Sequence, residues 1–167
     1  MQNIILTGFM GTGKSTVGRL LAARLGCRFV DTDEWIVAQD GRSIPTIFAQ
    51  SGEAAFRQWE VQATHTLAAE RGLVIATGGG LLLNPANVEA LAQSGPIFCL
   101  TAQPDTLLAR LQADQTERPL LHHPHPAQRI HELLAERAEG YGRFPQIPTD
   151  DQTPQQIVEQ ILQHLKS

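Results

Sequence analysis

A glycine-rich octet near the start of the chain has the spacing of a phosphate-binding loop. Residues 8–15 read Gly-Phe-Met-Gly-Thr-Gly-Lys-Ser, which fits G-x-x-x-x-G-K-[ST] at every fixed position. The octet follows an apolar run at 3–7 and precedes a segment, 16–25, whose apolar residues recur at helical spacing. A strand, a glycine loop and a helix in this order direct backbone N–H groups and a helix N-terminus at an anion. We therefore expect bound phosphates, with Lys14 on the outer phosphates and the Ser15 hydroxyl on Mg²⁺.

The lysine content of the chain supports a role for Lys14 in the chemistry. The sequence has two lysines and eleven arginines, and the second lysine, Lys166, is the next-to-last residue. The only lysine in the body of the chain therefore lies in the predicted phosphate loop.

Two aspartates, Asp31 and Asp33, stand at the end of a second predicted strand, 28–31. Beside a phosphate loop, one carboxylate can hold the water shell of Mg²⁺ and another can accept a proton from an attacking hydroxyl. Asp33 as the N-cap of the following helix is a compatible alternative. The third predicted strand, 73–77, ends without an aspartate, which argues against GTPase switches and against ATPases that use an aspartate there. Metal support must then come from elsewhere, and this favours Asp31.

Two more patterns could approach an anionic substrate. The glycine triplet at 78–80 follows the third strand and would let a ligand come close to the main chain. Arg57 lies four residues after Glu53 and three before Glu60, in a long helix that we predict to begin at 52. On spacing alone this is a solvated charge ladder worth roughly 0.3 kcal/mol per pair. The alternative is an arginine held by Glu60 and directed at an anion.

The stretch at 114–126 contains three prolines and no periodicity, so it predicts a functional loop. Arg118 in this loop suits a lid that closes over a transferring phosphate, and Arg137, in a later helix-like run, is a second candidate anion contact. The loop also holds three histidines, His122, His123 and His125. They form a candidate metal tract, but solvated lid histidines are the commoner case.

The remaining segments alternate between strand and helix. Further strands are predicted at 96–101 and, more weakly, at 146–149, and helices that open with proline at 85–93, 104–113 and 153–164. Uniformly apolar strands separated by helices predict a parallel sheet covered on both faces, with ligands at the carboxyl ends of its strands. A chain of 167 residues is expected to form one domain.

Composition excludes several classes of protein. A net charge of −4 argues against nucleic-acid binding, and 42% hydrophobic residues without a long apolar run indicate a soluble globular protein with no membrane partner. The chain enters a strand at once, so we expect no signal peptide and a cytoplasmic location. Cys27 and Cys99 lack metal-ligand or redox spacing and are expected to be buried thiols in a reducing compartment. We expect a monomer.

Taken together, these blocks resemble the shikimate kinase family. The resemblance covers essentially the whole chain and rests on segments in the family order: G-F-M-G-T-G-K-S-T-V-G-R at 8–19, D-x-D at 31–33, G-E-x-x-F-R-x-x-E at 52–60, A-T-G-G-G at 76–80, R-P-L-L at 118–121 and T-D-D-Q at 149–152. It implies an α/β fold of three layers, α/β/α, with a five-stranded parallel sheet of the P-loop, nucleoside-monophosphate-kinase type. It also implies a substrate-binding region at about 33–61 and a lid at about 114–126.

The resemblance further implies a reaction and a set of site residues. The γ-phosphoryl group of ATP would pass to the 3-hydroxyl of shikimate with Mg²⁺ as cofactor, a step of aromatic amino acid biosynthesis by way of chorismate. The implied ATP contacts are Gly11, Thr12, Gly13, Lys14, Ser15, Thr16, Arg110, Arg118 and Gln152. Shikimate would be held by Asp33, Arg57, Gly79 and Arg137, in a pocket lined or braced by Phe48, Phe56, Glu60, Gly78, Gly80, Pro119 and Leu120. Lys14, Asp33 and Arg118 would be catalytic, and Mg²⁺ would bind Ser15 directly and Asp31 through water.

The sequence is also compatible with two other functions. One is a gluconate- or nucleotide-type kinase on the same fold, although a nucleotide acceptor would need a base pocket where G-E-x-x-F-R provides a carboxylate clamp. The other is a nucleotide-binding module without catalysis. The presence of Lys14, Ser15, Asp31, Asp33 and Arg118 argues against such a module.

Overall fold

Five parallel strands form a single sheet in the order β2-β3-β1-β4-β5. The computed structural model describes residues 1–114 and 119–167. The strands are β1 (Ile4–Gly8), β2 (Arg28–Asp31), β3 (Leu73–Ala76), β4 (Ile97–Thr101) and β5 (Gln146–Pro148). All five predicted strands are present within one or two residues of the expected bounds.

In the part of the chain that the structure describes, seven α-helices flank the sheet. They are α1 (Lys14–Leu25), α2 (Thr32–Asp40), α3 (Ile44–Ala69), α4 (Pro85–Ser94), α5 (Pro104–Ala113), α6 (Pro126–Gly142) and α7 (Pro154–His164). Short 3₁₀ turns cover Leu81–Leu83 and Pro119–His122. Across the described residues, no helix is both long enough and apolar enough to span a bilayer.

Both faces of the sheet are covered, which is why its central strands do not alternate between apolar and polar residues. Every residue of β1 and β3 is buried. Ile4 and Leu6 pack toward α1 and α7, whereas Ile5 packs on the opposite face toward α3 and α4. The three-layer α/β/α fold is therefore as predicted, and it places the carboxyl ends of all strands along one edge.

Local signals set the helix starts where the sequence predicts them. The Asn84 side chain accepts a hydrogen bond from the Ala86 N–H, and Thr153 forms a capping box with Gln156 ahead of α7. In both helices proline occupies the first turn, where its missing N–H has no partner to lose.

The long helix α3 differs from the prediction because it begins before Gly52. Ser43 caps a first segment from Ile44, and Gly52, at φ 83° and ψ 171°, interrupts the helix before it continues to Ala69. That backbone conformation is accessible to glycine and strained for other residues. The interruption lets the first segment turn back, so that the rings of Phe48 and Phe56 lie 4.8 Å apart between centroids.

The predicted loop at 114–126 contains a short 3₁₀ turn, Pro119–His122, before α6 begins at Pro126. Residues 115–118 lie outside the described residues, and with them Arg118. The lid remains a prediction.

The two cysteines differ in burial. Cys99 is buried in β4, and this burial raises the pKa of its thiol to about 11. Cys27 is half-buried between α1 and β2, so the prediction of a buried thiol holds fully only for Cys99.

Candidate active site

The phosphate loop between β1 and α1 has the backbone conformation that an anion cradle needs. Gly8, Gly11 and Gly13 all have positive φ, of 136°, 83° and 92°. A Cβ at Gly8 would lie 2.3 Å from the Leu100 carbonyl oxygen, so only glycine fits there. Thr12 closes the loop by donating from Oγ1 to the Phe9 carbonyl over 2.8 Å. The N-terminus of α1 follows immediately, which gives the loop the electrostatic character of an anion site.

Lys14 is the first residue of α1, and its side chain folds back across the loop. Its Nζ donates to the carbonyl oxygens of Gly8 and Phe9, over 2.8 and 3.0 Å. The ammonium group therefore lies over the cradle, where it can reach the phosphates that the loop would hold.

Ser15 and Asp31 connect the phosphate loop to the end of β2. Ser15 Oγ donates to Asp31 Oδ2 over 2.8 Å. The other oxygen, Asp31 Oδ1, accepts from the backbone N–H groups of Asp33 and Glu34, over 2.9 and 3.2 Å, and so caps α2. The alternative that Asp33 is the N-cap is therefore wrong, because α2 starts at Thr32, one residue after Asp31.

The glycine triplet after β3 lies against the charged groups that were predicted to hold the acceptor. A Cβ at Gly78 would lie 2.8 Å from Asp33 Oδ1. One at Gly79 would lie 2.9 Å from Arg137 Nη1, and one at Gly80 would lie 2.6 Å from Arg57 Nη1. The triplet is thus explained by close approach: three charged groups from three helices meet one short stretch of main chain. Thr32 fixes this stretch, since its Oγ1 accepts from the Gly78 N–H over 2.9 Å.

Arg57 and Glu60 form an ion pair on α3 in which the carboxylate is buried and the guanidinium is partly exposed, so it is not a fully solvated charge ladder. Arg57 Nη1 donates to Glu60 Oε1 over 2.5 Å, and the Glu60 side chain is only 2% exposed. Burial raises the pKa of Glu60, partly offset by Arg57. Although burial opposes it, the hydrogen bond to Glu60 raises the pKa of Arg57. Arg57 Nη2 also reaches Glu53 Oε1 at 3.3 Å, so the guanidinium is oriented from two sides.

Arg137 approaches the triplet from α6. Its guanidinium carbon lies 5.5 Å from the centre of the Phe9 ring, a cation–π contact with the phosphate loop. Its Nη1 also lies 3.4 Å from the hydroxyl of Tyr141, which donates to the Gly79 carbonyl over 2.7 Å. Tyr141 was not predicted as a site residue, and its only signal in the sequence is its position one helical turn after Arg137.

A second set of contacts lies at the opposite end of the phosphate loop. Arg110, on α5, donates from Nη1 to the Gly11 carbonyl and to Thr149 Oγ1, over 3.1 and 2.9 Å. A cavity of about 280 Å³ opens here. Its lining includes Gly11, Thr12, Gly13, Thr16, Arg110, Thr149 and Gln152. Gln152 is itself held by its donation to the Pro148 carbonyl, over 2.7 Å. Thr149 belongs to the T-D-D-Q segment, but its contact with Arg110 was not predicted because the two residues are 39 positions apart.

A larger cleft lies between these two ends. It has a volume of about 590 Å³ and is lined by residues of the phosphate loop and of the β2 and β3 ends, among them Lys14, Ser15, Asp31, Asp33, Gly78 and Gly79. A neighbouring cavity of about 350 Å³ holds Glu53, Arg57, Glu60 and Gly80. The glycine triplet separates the two spaces, so groups for phosphates and groups for an acceptor meet at 78–80.

Some predicted site residues are less closely placed. Phe48 is 37% exposed and reaches the site through its contact with Phe56. Arg118 and the side chains of Pro119 and Leu120 lie outside the described residues. In the described part of the chain, no group of three or more histidine, cysteine, aspartate or glutamate side chains could hold a metal ion.

A parallel sheet in the order 2-3-1-4-5, a phosphate loop after β1 and a carboxylate facing it from the β2 end define a phosphate-loop kinase. Comparison with known proteins identifies the family. The family model "Shikimate kinase" matches residues 10–166. The chain belongs to the shikimate kinase family, and it is an ATP-dependent phosphotransferase.

Individual relatives agree along the whole length of the chain. A shikimate kinase from Thermodesulfovibrio yellowstonii is 42% identical over 97% of this chain and 94% of its own. The solved structure of a shikimate kinase from Acinetobacter baumannii in complex with shikimate is 37% identical, with a TM-score of 0.92 over 99% of this chain and 93% of its own. A gluconokinase from Sinorhizobium meliloti, 20% identical with a TM-score of 0.64, covers 99% of this chain and 91% of its own and shares the fold alone.

Proposed function

We propose that this chain transfers the γ-phosphoryl group of ATP to the 3-hydroxyl of shikimate, giving shikimate 3-phosphate and ADP. The observation that carries the proposal is the meeting of Asp33, Arg57 and Arg137 at the glycine triplet, beside the phosphate loop. One carboxylate and two guanidinium groups suit an acceptor that has one carboxylate and a hydroxyl to be phosphorylated.

The two arginines are the basis for acceptor selection. A carboxylate between Arg57 and Arg137 would receive charge-assisted hydrogen bonds from both guanidinium groups. An uncharged acceptor would form no charge-assisted hydrogen bond with either guanidinium group and would lose that binding energy. This favours shikimate over uncharged acceptors, and the buried Glu60 keeps Arg57 in place while the site is empty of substrate.

Asp33 is proposed as the group that orients and deprotonates the acceptor hydroxyl. It lies at the β2 end, next to Gly78, and lines the same cleft as Lys14 and Ser15. As the hydroxyl oxygen bonds to the γ-phosphorus, its proton passes to the Asp33 carboxylate and the bond to the bridging oxygen of ADP breaks. Lys14 neutralises charge that develops on the transferring group.

Mg²⁺ is proposed as the cofactor that accompanies ATP. The donor set fits a small hard cation, because a hydroxyl and a carboxylate oxygen lie 2.8 Å apart between Ser15 Oγ and Asp31 Oδ2, at the foot of the phosphate cradle. Ser15 would bind the metal directly and Asp31 through a water molecule. When bound, the ion would neutralise the β- and γ-phosphate oxygens.

The remaining ATP contacts extend in two directions. We propose that Arg110 and Gln152 flank the nucleotide in the 280 Å³ cavity. Arg118 is proposed to contact the transferring phosphoryl group from a lid at about 114–126, in which Pro119 and Leu120 border the acceptor. We also propose a cytoplasmic monomer that binds small molecules only, in keeping with a net charge of −4.

Release of ADP with different acceptors tests the proposal. ADP formation should depend on shikimate, and phosphorus NMR should detect a phosphate ester at the 3-hydroxyl. Gluconate and nucleoside monophosphates at the same concentration serve as controls and should leave the rate at the level of ATP alone. Turnover of gluconate or of a nucleotide in preference to shikimate would overturn the assignment, and ATP binding without turnover of any acceptor would favour a binding module.

A further inference from the structure

Tyr141 joins two groups that the proposed function assigns to the acceptor. Its hydroxyl lies 2.7 Å from the carbonyl oxygen of Gly79 and 3.4 Å from Nη1 of Arg137. The side chain is buried, with 7% of the residue exposed. Gly79 and Tyr141 are 62 residues apart in the chain, so this contact fixes α6 against the end of β3.

The direction of both hydrogen bonds is determined by the chemistry of the partners. A carbonyl oxygen only accepts and a guanidinium only donates. The phenolic proton therefore points at Gly79, and an oxygen lone pair of Tyr141 faces Arg137. A tyrosine is protonated at neutral pH, and burial raises the pKa of Tyr141 further, although Arg137 opposes this shift.

The other contacts of Arg137 do not fix the direction in which its N–H groups point. The Phe9 ring supports the face of the guanidinium, and Gly79 presents no side chain. Within residues 1–114 and 119–167, the Tyr141 hydroxyl is the hydrogen-bond partner of the Arg137 side chain. Arg57 differs in this respect, since it is held by the carboxylates of Glu53 and Glu60.

We propose that Tyr141 is a positioning residue for the acceptor: its hydroxyl sets the Arg137 guanidinium against the Gly79 main chain, so that both meet the acceptor carboxylate in one geometry. The inference rests on the proposed function. Tyr141 makes its contribution through Arg137, without touching phosphates or the reacting hydroxyl. Its loss should therefore weaken acceptor binding and leave phosphoryl transfer nearly intact.

Tyr141→Phe tests this because it removes the hydroxyl and keeps the buried ring. We expect KM for shikimate to rise roughly tenfold, the usual scale for a lost hydrogen bond to a charged group, while kcat and KM for ATP stay within about twofold. Glu139→Gln, an exposed change on the same helix, is the matched control and should alter neither constant. Equal effects on both substrates would indicate a merely structural role and overturn the inference.

A double-mutant cycle isolates the route through Arg137. In an Arg137→Ala background, Tyr141→Phe should add less than about twofold to KM for shikimate, because the group it positions is gone. A full additional tenfold rise would contradict the inference.

A measurement on the ligand-free protein separates this inference from the proposed function. In NMR spectra, the Arg137 Nε–H resonance and the Gly80 amide resonance should both shift in Tyr141→Phe and stay in place in Glu139→Gln. An unchanged Arg137 resonance would overturn the positioning role even if shikimate is the substrate. Failure of the proposed function alone would appear instead as inactivity of the wild type toward shikimate while the Arg137 shift persists.

Discussion

Ser15 Oγ and Asp31 Oδ2 are joined by a hydrogen bond of 2.8 Å that connects the phosphate loop to the start of α2. Because Asp31 Oδ1 also accepts the first N–H groups of α2, this one carboxylate fixes the entrance of the helix that carries Asp33. Asp31, the proposed support for the metal, therefore also positions Asp33, the proposed base. The distance between phosphate and acceptor sites depends on it.

Lys14→Met should abolish phosphoryl transfer while the protein remains folded. The variant removes the ammonium group that lies over the cradle and keeps most of the apolar stem. Lys14 also donates to the Gly8 and Phe9 carbonyls, so a small loss of thermal stability is expected as well. ADP release and circular-dichroism melting measure the two effects. Lys166→Met, at the other lysine of the chain, is the control and should keep full activity; wild-type turnover in Lys14→Met would contradict the phosphate-loop assignment.

Arg57→Ala should weaken shikimate binding far more than ATP binding. A lost charged contact to a carboxylate is expected to cost roughly 2–4 kcal/mol of binding free energy. Titration calorimetry with each ligand measures this, and Arg71→Ala, at an exposed arginine just after α3, is the matched control.

The buried Glu60 requires a second variant in this experiment. Arg57→Ala alone leaves the 2%-exposed Glu60 carboxylate without its ion-pair partner, which destabilises the fold for reasons unrelated to substrate. The double change Arg57→Ala with Glu60→Gln removes that effect and should show the same selective loss for shikimate. Equal losses of affinity for shikimate and for ATP would show that Arg57 has only a structural role.

The parts of this site that could be predicted from sequence are those whose chemistry is local. The phosphate loop consists of eight consecutive residues, and Arg57 and Glu60 are one helical turn apart. Both patterns can therefore be recognised in the sequence. The choice between Asp31 and Asp33 as cap depends on where α2 starts to within one residue, which propensity does not resolve.

Contacts between distant segments were not predictable from the sequence. The glycine triplet gave a weak signal alone, since a flexible turn explains three glycines equally well. Its reason is tertiary: the side chains of Asp33, Arg57 and Arg137 arrive there from three different helices. The contact between Tyr141 and Gly79 spans 62 residues and has no local pattern at all.

Gly80→Ala should raise KM for shikimate by displacing Arg57. A Cβ at this position would lie 2.6 Å from Arg57 Nη1 and 3.0 Å from Nη2, closer than such contacts allow, so the guanidinium must move. The displaced Arg57 guanidinium can then no longer keep both its hydrogen bond to Glu60 and its proposed position at the acceptor. Steady-state kinetics should show a larger change in KM for shikimate than for ATP. Gly142→Ala, where a Cβ meets nothing within 4 Å, is the glycine control and should behave like the wild type.

Asp40→Asn should lower thermal stability in a pH-dependent way. Arg42 donates to both oxygens of the Asp40 carboxylate, over 2.6 and 2.8 Å, and Trp59 Nε1 donates to Oδ2 over 3.1 Å. The hydrogen bonds from Arg42 hold the pKa of Asp40 below its usual value. A carboxyl group with a depressed pKa stabilises the fold above its unfolded pKa, about 4, and loses that contribution as the pH falls through the folded value.

Melting temperatures across pH check this expectation. The difference between wild type and Asp40→Asn should be largest near pH 7 and should shrink as the pH falls below about 4. Glu89→Gln, at an exposed carboxylate on α4, controls for the loss of one negative charge. A difference that grows toward low pH would contradict the assigned direction of the Asp40 shift.

Asp31 and Asp33 should respond differently to Mg²⁺. Asp31→Asn keeps a side-chain oxygen to cap α2 but loses the charge beside Ser15, so it weakens a metal site that Ser15 and the phosphates still hold. Raising Mg²⁺ should therefore restore part of its activity. Mg²⁺ should not rescue Asp33→Asn, because an amide cannot accept the hydroxyl proton at any metal concentration. Turnover of this variant should fall by roughly 10² to 10⁴, and its affinity for ATP should be nearly unchanged. Turnover titrated against Mg²⁺, with ATP binding measured in parallel, distinguishes the two. Equal rescue of both variants would show that the two carboxylates share one task, and the separation of metal support from base would be wrong.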